Sequence, residues 1–571
     1  MTASILILCG PAELVRQREQ QVLGRRSMKS RLAGHDFVVM SDRPEAVRLP
    51  DDMGLVFGEV FRRADFRRAK TISPDLAKMV SSSAGAAFVS SFWGDYLAVF
   101  ADPAGAPHVI RSPFGALSAY RLRIGAVDVV SNDVGLLVDL GWLTPRIDWS
   151  FVAHFMAYPF RRARRTGFEG LSELPPGSAL TWSSGRSEDR PLWSPWDHVA
   201  ADDGEDDHSQ ALGDLVRRCV RAWADGRDKV LLELSGGLDS SVLAACLWDA
   251  DVNVQCVNMV SPALDGDERL YARAVAERLG LALEEIALAP GDVDLTMAPS
   301  VRRPRPSGHA LLGAWDRTLQ ERAVDLGSDA FISGGGGDNV FFKTHSSTPA
   351  ADALRRGKLG VWIRAVQDLA LLHDCSLWRA GSMSVQRAFA PAAQAWRSDL
   401  RFLASRVART PLEPHPWLDG PRALPGKVEH LKLLMSAHNY LDAFARSETA
   451  PLLTPLLSQP VVELCLSIPS WEWIRGGRDR AVTRAAFRHA LPPLVVDRCT
   501  KGNLSGFAGP AYEAARGKLA NHLLGGRLDQ AGLLDKAALA GLLRETGPPK
   551  GSDYFRILQI ADVESWARRW S

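Results

Sequence analysis

The sequence predicts an α/β protein in two parts, a strand-rich first third and then a parallel, doubly wound sheet that gives way to helices. Three observations carry the prediction. Short apolar runs separated by turn residues crowd the chain up to about residue 195, strands alternate with glycine turns and helices from Lys229 onward, and two of those turns end in carboxylates. A chain of 571 residues is long enough for two or three full-sized cores.

In the first part, SILILC (4–9), LVFGEVF (55–61), AAFVSSFWGDYLAVFADPAG (86–105) and VIRSPFGALSAYRL (109–122) read as strands and turns. A Pro-, Gly- and Ser-rich stretch from Pro175 to Pro195 leads into ADDGEDDHS (201–209), whose acidity reads as a solvated linker. The boundary is therefore placed there, with a first domain over 1–200 and a second over 210–571. In the second, KVLLEL (229–234), VNVQCVNMV (252–260) and DAFIS (329–333) read as strands, and VLAACLWD (242–249) as a helix. Another helix is expected to end at Gly280 and to bury Leu270, Ala274, Val275 and Leu279 on one face.

Composition narrows the function classes. With 46% hydrophobic and 23% charged residues and a formal net charge of +2, the chain is globular and carries no excess charge that would point to nucleic acid. No apolar run has the length of a membrane span, and MTASILILCG lacks the basic start and long apolar core of an export signal, so a soluble cytoplasmic protein is expected. The seven cysteines (Cys9, Cys219, Cys246, Cys256, Cys375, Cys465 and Cys499) are scattered without CxxC spacing, which disfavours disulfide frameworks and zinc sites.

Chemistry concentrates in the glycine turns. Ser235-Gly236-Gly237-Leu238-Asp239-Ser240-Ser241 lies between a buried strand and a helix, where backbone N–H groups and the positive helix end favour an anion. The glycines let the backbone approach closely, and Ser235, Ser240 and Ser241 add hydroxyl donors. No lysine follows as in GxxxxGK[ST], and Asp239 would repel bare phosphate, so a bridging Mg²⁺ is implied. Ser333-Gly334-Gly335-Gly336-Gly337-Asp338-Asn339 repeats the plan after the third strand. In a parallel sheet both turns fall at the carboxyl edge, where Asp239 and Asp338 would grip one Mg²⁺ from two sides.

SGGLDSS and SGGGGD together resemble the synthetase domain of the asparagine synthetase family, whose members cleave ATP between the α and β phosphates. DGDERLYARAVAERLG (265–280) looks like the family's helix after its second strand, and RDRAVTRAAFRHALPPLVVDRCTKGN (478–503) like the stretch ending in its catalytic lysine, here Lys501. GDYLAVFADPAG (94–105), RSPFG (111–115), SND (131–133) and TGFEGLSELPPG (166–177) are similar to the family's glutaminase domain. The resemblance implies an Ntn-type glutaminase-like α/β sandwich followed by an ATP-pyrophosphatase domain with a helical C-terminal part. It implies ATP contacts at Ser235, Gly236, Gly237, Asp239, Ser240, Ser241, Met259, Gly334 and Gly335, metal at Asp239 and Asp338, and catalysis by Lys501.

Glutamine-using members carry a cysteine directly after the initiator methionine, and here that position is Thr2. Cys9, inside an apolar run, reads as a buried core residue rather than a substitute. Without glutamine hydrolysis the amine must arrive on the substrate. GGGGDNVF (334–341) and PLLSQPVVELCLSIPSW (455–471) look most like the lasso peptide macrolactam cyclases. β-Lactam synthetases place a tyrosine at the position of Gly335 and a glutamate near that of Pro451; both are missing here, leaving Glu448, Tyr440 and His438 as nearby candidates, of which Glu448 is taken as catalytic. The resemblance implies a precursor peptide as substrate, with a leader-peptide-binding protein and a leader peptidase as partners. Other readings are an asparagine or small-lactam synthetase, a sulfur-transferring relative, and a non-catalytic nucleotide-binding scaffold. The arginines Arg478, Arg480, Arg484, Arg488 and Arg498 could screen ATP or an acidic peptide, and are expected for the most part to solvate a helix face.

Overall fold

The computed structural model describes residues 3–183, 186–199, 207–260, 266–299, 301–306, 310–390, 396–418, 424–498, 502, 504–547 and 551–571. Thr2, Cys499 and Lys501 lie outside the described residues.

Two six-stranded antiparallel sheets form the first part. One is ordered Leu171–Glu173, Tyr120–Ile124, Val127–Ser131, Ile5–Cys9, Phe37–Ser41 and Lys29–Ala33; the other Arg186–Pro191, Ser178–Ser183, Pro107–Arg111, Phe92–Ala101, Gly54–Arg62 and Val47–Arg48. Successive side chains of a strand point to opposite faces, which explains runs that are apolar throughout. Ile5 and Ile7 pack with Phe57, Leu97 and Val99 between the sheets, while Leu6 and Leu8 face outward into a second core. That outer core is closed by helices Ala12–Val22 and Trp149–Ala157 and by the C-terminal helices Ser505–Leu523 and Asp553–Arg569. Beyond the other sheet, Val56, Phe61 and Tyr96 join a core shared with helix His208–Ala224 and the second part of the chain. The layers are thus helix, sheet, sheet, helix.

The second part is built on a five-stranded parallel sheet in the order Ala282–Ala287, Val254–Val260, Val230–Glu233, Ala330–Ile332 and Leu452–Leu453. Past Leu453 the described residues are helical, and none of their helices is long and apolar enough to cross a membrane.

Local expectations are overturned or sharpened at four places. AAFVSS at 86–91 is a helix, started by Gly85 at φ 92° and held by buried Phe88 and Val89, not a strand. The stretch from Pro175 to Pro195 contains a hairpin, Ser178–Ser183 against Arg186–Pro191, whose outer strand is polar because it forms the sheet edge. Of the acidic stretch 201–209, residues 201–206 lie outside the described residues; at its end Asp207 caps helix His208–Ala224, accepting from the Ser209 N–H. In helix Arg269–Leu279, Gly280 is the left-handed C-cap as expected, but the buried stripe is Ala272, Val275, Ala276 and Leu279, and Leu270 is exposed.

A buried ionic cluster joins the two parts. Arg162 donates to Asp442 from both terminal nitrogens (3.1 and 2.9 Å), to Glu173 at 2.6 Å and to the His438 carbonyl at 2.7 Å. Arg111 donates to Glu173 at 2.5 Å, Arg305 pairs with the same carboxylate, and all five side chains are buried. Burial alone would raise the Asp442 pKa, but Arg162, Arg303 and Arg305 hold it well below the usual carboxylate range. Its contribution to stability is therefore complete above about pH 4 and declines as acid is added. Arg162→Ala, which strands Asp442 without its main partner, should cost about 3–5 kcal/mol. Chemical denaturation at neutral pH measures the loss, and a change below 1 kcal/mol, the usual range of an exposed pair, would show the cluster to be dispensable.

Candidate active site

Strand Val230–Glu233 has three fully buried residues, Val230, Leu231 and Leu232, and runs through Leu234 into the first glycine turn. Gly236 sits at φ 69°, and a Cβ there would lie 2.5 Å from both the Ala272 nitrogen and the Tyr271 Cβ. Only glycine fits where the turn presses on the next helix. Helix Leu238–Asp249 then starts at once, with Asp239 in its first turn. The Ser235 and Ser240 hydroxyls lie 3.1 Å apart, and Ser241 donates to the Gly237 carbonyl at 2.8 Å. Ser241 is fully buried, so it fastens the turn instead of facing the cavity.

The neighbouring strand Ala330–Ile332 pairs in parallel with the first, Leu232 opposite Ile332, which sets the second turn beside the first. The turns approach so closely that a Cβ on Gly337 would fall 2.5 Å from the Asp239 carboxyl carbon. Asn339 anchors the second turn by donating to the Leu433 carbonyl at 2.7 Å and the Ser436 hydroxyl at 3.0 Å on helix Pro425–Leu441. Between the turns lies a cavity of about 260 Å³, lined by Ser235, Gly237, Asp239 and Ser240 on one side and Gly334, Gly335, Gly336 and Asp338 on the other. Gly236 and Met259 do not line it; Met259 lies near the end of the adjacent strand and packs on the cluster of Leu231 and Val257.

The central electrostatic feature is a residue the sequence did not single out. Arg480, only 5% exposed and at φ 52°, points one terminal nitrogen at Asp239 (3.1 and 3.3 Å) and at Asp338 (2.6 Å). Its Nε donates to Asp479 at 2.8 Å, and Asp479 also accepts from Arg484 at 2.6 Å. Burial alone would lower the Arg480 pKa, but the charges of Asp239, Asp338 and Asp479 outweigh it and raise it, so the group stays a cation. Lys343 Nζ is 3.6 Å from Asp338. The expectation that the arginines around 478–498 mostly solvate a helix face is therefore corrected: Arg478 and Arg488 are exposed, whereas Arg480 and Arg484 are buried on carboxylates and Arg498 is half-buried. The available signal was the run Asp479-Arg480 with Arg484 four residues on, a carboxylate flanked by two cations at the start of helix Ala481–Phe487.

Lys501 is outside the described residues, but its flanks are tied to the first turn. Arg498 pairs with Glu268 at 2.9 Å, stacks on Tyr271 and comes within 3.5 Å of the Gly236 carbonyl, and the Gly502 N–H donates to Glu268. Glu448 is not among the groups lining the cavity between the turns. It is exposed and lines a larger cavity of about 780 Å³ between the two parts of the chain, with Ala3, Asp95, Asp442 and Pro451. His438 is a core residue: its Nε2 is 2.9 Å from the Pro113 carbonyl, its ring stacks on Phe114, and burial pushes its pKa down to about 3. Tyr440 stacks on Phe160. Burial pushes the Cys9 and Cys256 thiols up to about 12, too high for reactive thiolates, and the described cysteines are all free.

The model of the family described as asparagine synthase matches residues 211–568, which takes in both glycine turns, Arg480 and the helical C-terminal part. The chain belongs to the asparagine synthase family. Family members are ATP-dependent carbon–nitrogen ligases that release AMP, and this chain is accordingly an ATP-dependent amide ligase. No curated protein matches it. Among solved structures it is similar to the allosteric regulatory enzyme of purine biosynthesis, at 10% identity over 58% of this chain and 89% of that one, TM-score 0.23. It is similar to glutamine phosphoribosylpyrophosphate amidotransferase from B. subtilis complexed with ADP and GMP, at 9% identity over 58% and 90%, TM-score 0.21. A third similarity is to the U34-tRNA thiolase NcsA from Methanococcus maripaludis with its 4Fe-4S cluster, at 19% identity over 28% and 54%, TM-score 0.17.

Within the family frame the contact of Gly337 with Asp239 makes a sharp prediction. Gly337→Ala forces the Asp239 carboxylate aside and should lower ATP-dependent pyrophosphate release by about a hundredfold, the effect of a misplacement of roughly 1 Å. Far-UV circular dichroism should be unchanged; a variant with normal pyrophosphate release would mean that Asp239 is not held against the second turn.

Proposed function

We propose that this family member is a lasso peptide cyclase, which adenylylates an Asp or Glu side chain of a precursor peptide and closes a macrolactam ring with the peptide's N-terminal amine. The observation that carries the finer reading is the bare second turn. A Cβ at Gly335 would meet only the Ser333 hydroxyl, at 3.5 Å, so this wall of the ATP cavity is left open to a bulky substrate. The tyrosine that the resemblance puts there in β-lactam synthetases is absent, and with Thr2 in place of a cysteine the amine comes with the substrate.

Asp239 and Asp338 suit a magnesium ion shared with ATP. Both carboxylates come within 3.3 Å of a single Arg480 nitrogen, so they converge on one positive charge. Among the described residues no cluster of three or more His, Cys, Asp or Glu forms, and two carboxylates leave room for phosphate and water ligands. Bound there, the ion would neutralise charge on the polyphosphate. The first turn supplies backbone N–H groups and the positive end of helix Leu238–Asp249 to the phosphates, with Ser235 and Ser240 beside them.

In the proposed reaction the peptide carboxylate attacks the α-phosphorus, the bond to the β-phosphate oxygen breaks, and pyrophosphate leaves. The N-terminal amine then attacks the acyl carbon and AMP departs. Lys501 is proposed to meet charge at phosphorus; the ties of Arg498 and Gly502 to Glu268 support a place for this segment beside the first turn. Glu448 is proposed to receive the amine's proton from its place on the larger cavity. Pro451, Leu453 and Leu457 line the larger cavity, and Leu457 also packs on Gly336 of the second turn. The reading also proposes a division into domains 1–200 and 210–571, a cytoplasmic setting, and a leader-peptide-binding protein and a leader peptidase as partners.

Activation needs only a carboxylate, whereas ring closure needs a free amine. A precursor peptide acetylated at its N-terminus should therefore stall as the adenylate and support exchange of labelled pyrophosphate into ATP, and the same peptide with Asn or Gln at the acceptor position should support none. Lys501→Ala should depress the exchange with the acetylated peptide. Release of ADP and phosphate in place of AMP and pyrophosphate would overturn the mechanism, and exchange supported by free aspartate but not by peptide would replace the cyclase with a small-molecule ligase.

A further inference from the structure

Arg480 occupies the point on which Asp239 and Asp338 converge, and this poses a problem for a free metal ion. Among the described residues the two carboxylates are faced by the Arg480 guanidinium and the Lys343 ammonium, and Glu233, which also lines the cavity, is paired with Arg446, so the site is already close to charge balance. A divalent cation entering alone would meet two resident cations and little net negative charge. A cation entering on ATP brings an excess of negative charge, to which both residents are complementary.

The attachment of Arg480 fits such an exchange. Its Nε is fastened to Asp479, which Arg484 braces from the next turn, so the guanidinium has an anchor independent of Asp239 and Asp338. The residue keeps this position despite a left-handed backbone conformation uncommon for a non-glycine side chain. Released from the two aspartates, its distal nitrogens would still overhang the turns where the phosphates lie.

We propose that Arg480 is the resident counter-charge of the nucleotide-free site: it holds Asp239 and Asp338 in the place of the divalent cation and passes to the polyphosphate when metal and ATP enter together. The inference rests on the metal–ATP reading of the two turns. It makes metal binding conditional on nucleotide and keeps the carboxylate pair neutralised between turnovers.

The test is titration of the full chain with Mn²⁺, followed by the EPR signal of the free ion, with and without the α,β-methylene analogue of ATP. Wild type should bind Mn²⁺ tightly only with the analogue. Arg480→Gln should bind Mn²⁺ without nucleotide about a hundredfold more tightly than wild type, the order set by removing one unit charge about 4 Å from the ion. Arg480→Lys, which keeps the charge, should restore the exclusion. The wild-type comparison stands even if Arg480→Gln does not fold. Wild-type binding of Mn²⁺ without nucleotide that is lost in Asp239→Asn would overturn the inference while leaving the metal site intact, as would an Arg480→Gln variant no better than wild type. No Mn²⁺ bound even with the analogue would remove the metal reading itself, and the inference with it.

Discussion

The active site depends on one pairing, the parallel register that sets Leu232 opposite Ile332. Parallel neighbours end on the same edge of a sheet, so the turns that follow them must share that edge. Strand and turn leave little slack: the first helix begins directly after Gly237, and the second turn lies against the Asp239 carboxylate with glycine at the point of contact. Two carboxylates from segments about a hundred residues apart are thereby brought to one point. Their mutual repulsion demands a cation between them, and the protein provides one in Arg480.

The first part of the chain is more than an attached module. Its outer sheet face shares a core with helix His208–Ala224, its other face is covered by the C-terminal helices, and Arg162 donates to Asp442 and to the His438 carbonyl across the join. Asp442 lines the larger cavity, and Glu448 and the Pro451–Leu457 segment, which borders the second turn, follow it closely in the chain. The ionic cluster is thereby joined, through a short stretch of chain, to a segment that lines the larger cavity and packs through Leu457 on Gly336 of the second turn.

How much of this was legible in the sequence depended on the range of the interaction concerned. The strands Ile5–Cys9, Val230–Glu233 and Val254–Val260 announced themselves by runs that are apolar throughout or nearly so, because layers cover both of their faces. The glycine turns were readable because a close approach admits no side chain. Ala86–Ser91 was misread because its helix is set by the left-handed Gly85 and by burial of Phe88, neither of which alters the local pattern. The inner face of helix Arg269–Leu279 was misplaced by about one residue because alanines at 272 and 276, not leucine at 270, pack beneath it. Arg480 escaped for a different reason. Its partners lie 241 and 142 residues away, and five arginines within 478–498 look alike until their carboxylates are known.

The proposed source of the amine agrees with what the first part holds in reserve. Cys9 is the cysteine nearest the chain start, but it is buried in the core between the two sheets, with Asp128 and Asp36 adding to a burial that drives its thiol up to about 12. A group so protonated cannot attack an amide at neutral pH, and nothing in its packing would release it. Position 2 offers a hydroxyl, whose proton is far harder to remove than a thiol's. Neither of these groups is a ready thiolate nucleophile. On the proposed cyclase reading the amine arrives on the peptide, and an amine already tethered to the activated carboxylate reacts at an effective concentration that a free one does not reach. That advantage is the one the proposed ring closure within one peptide would draw on.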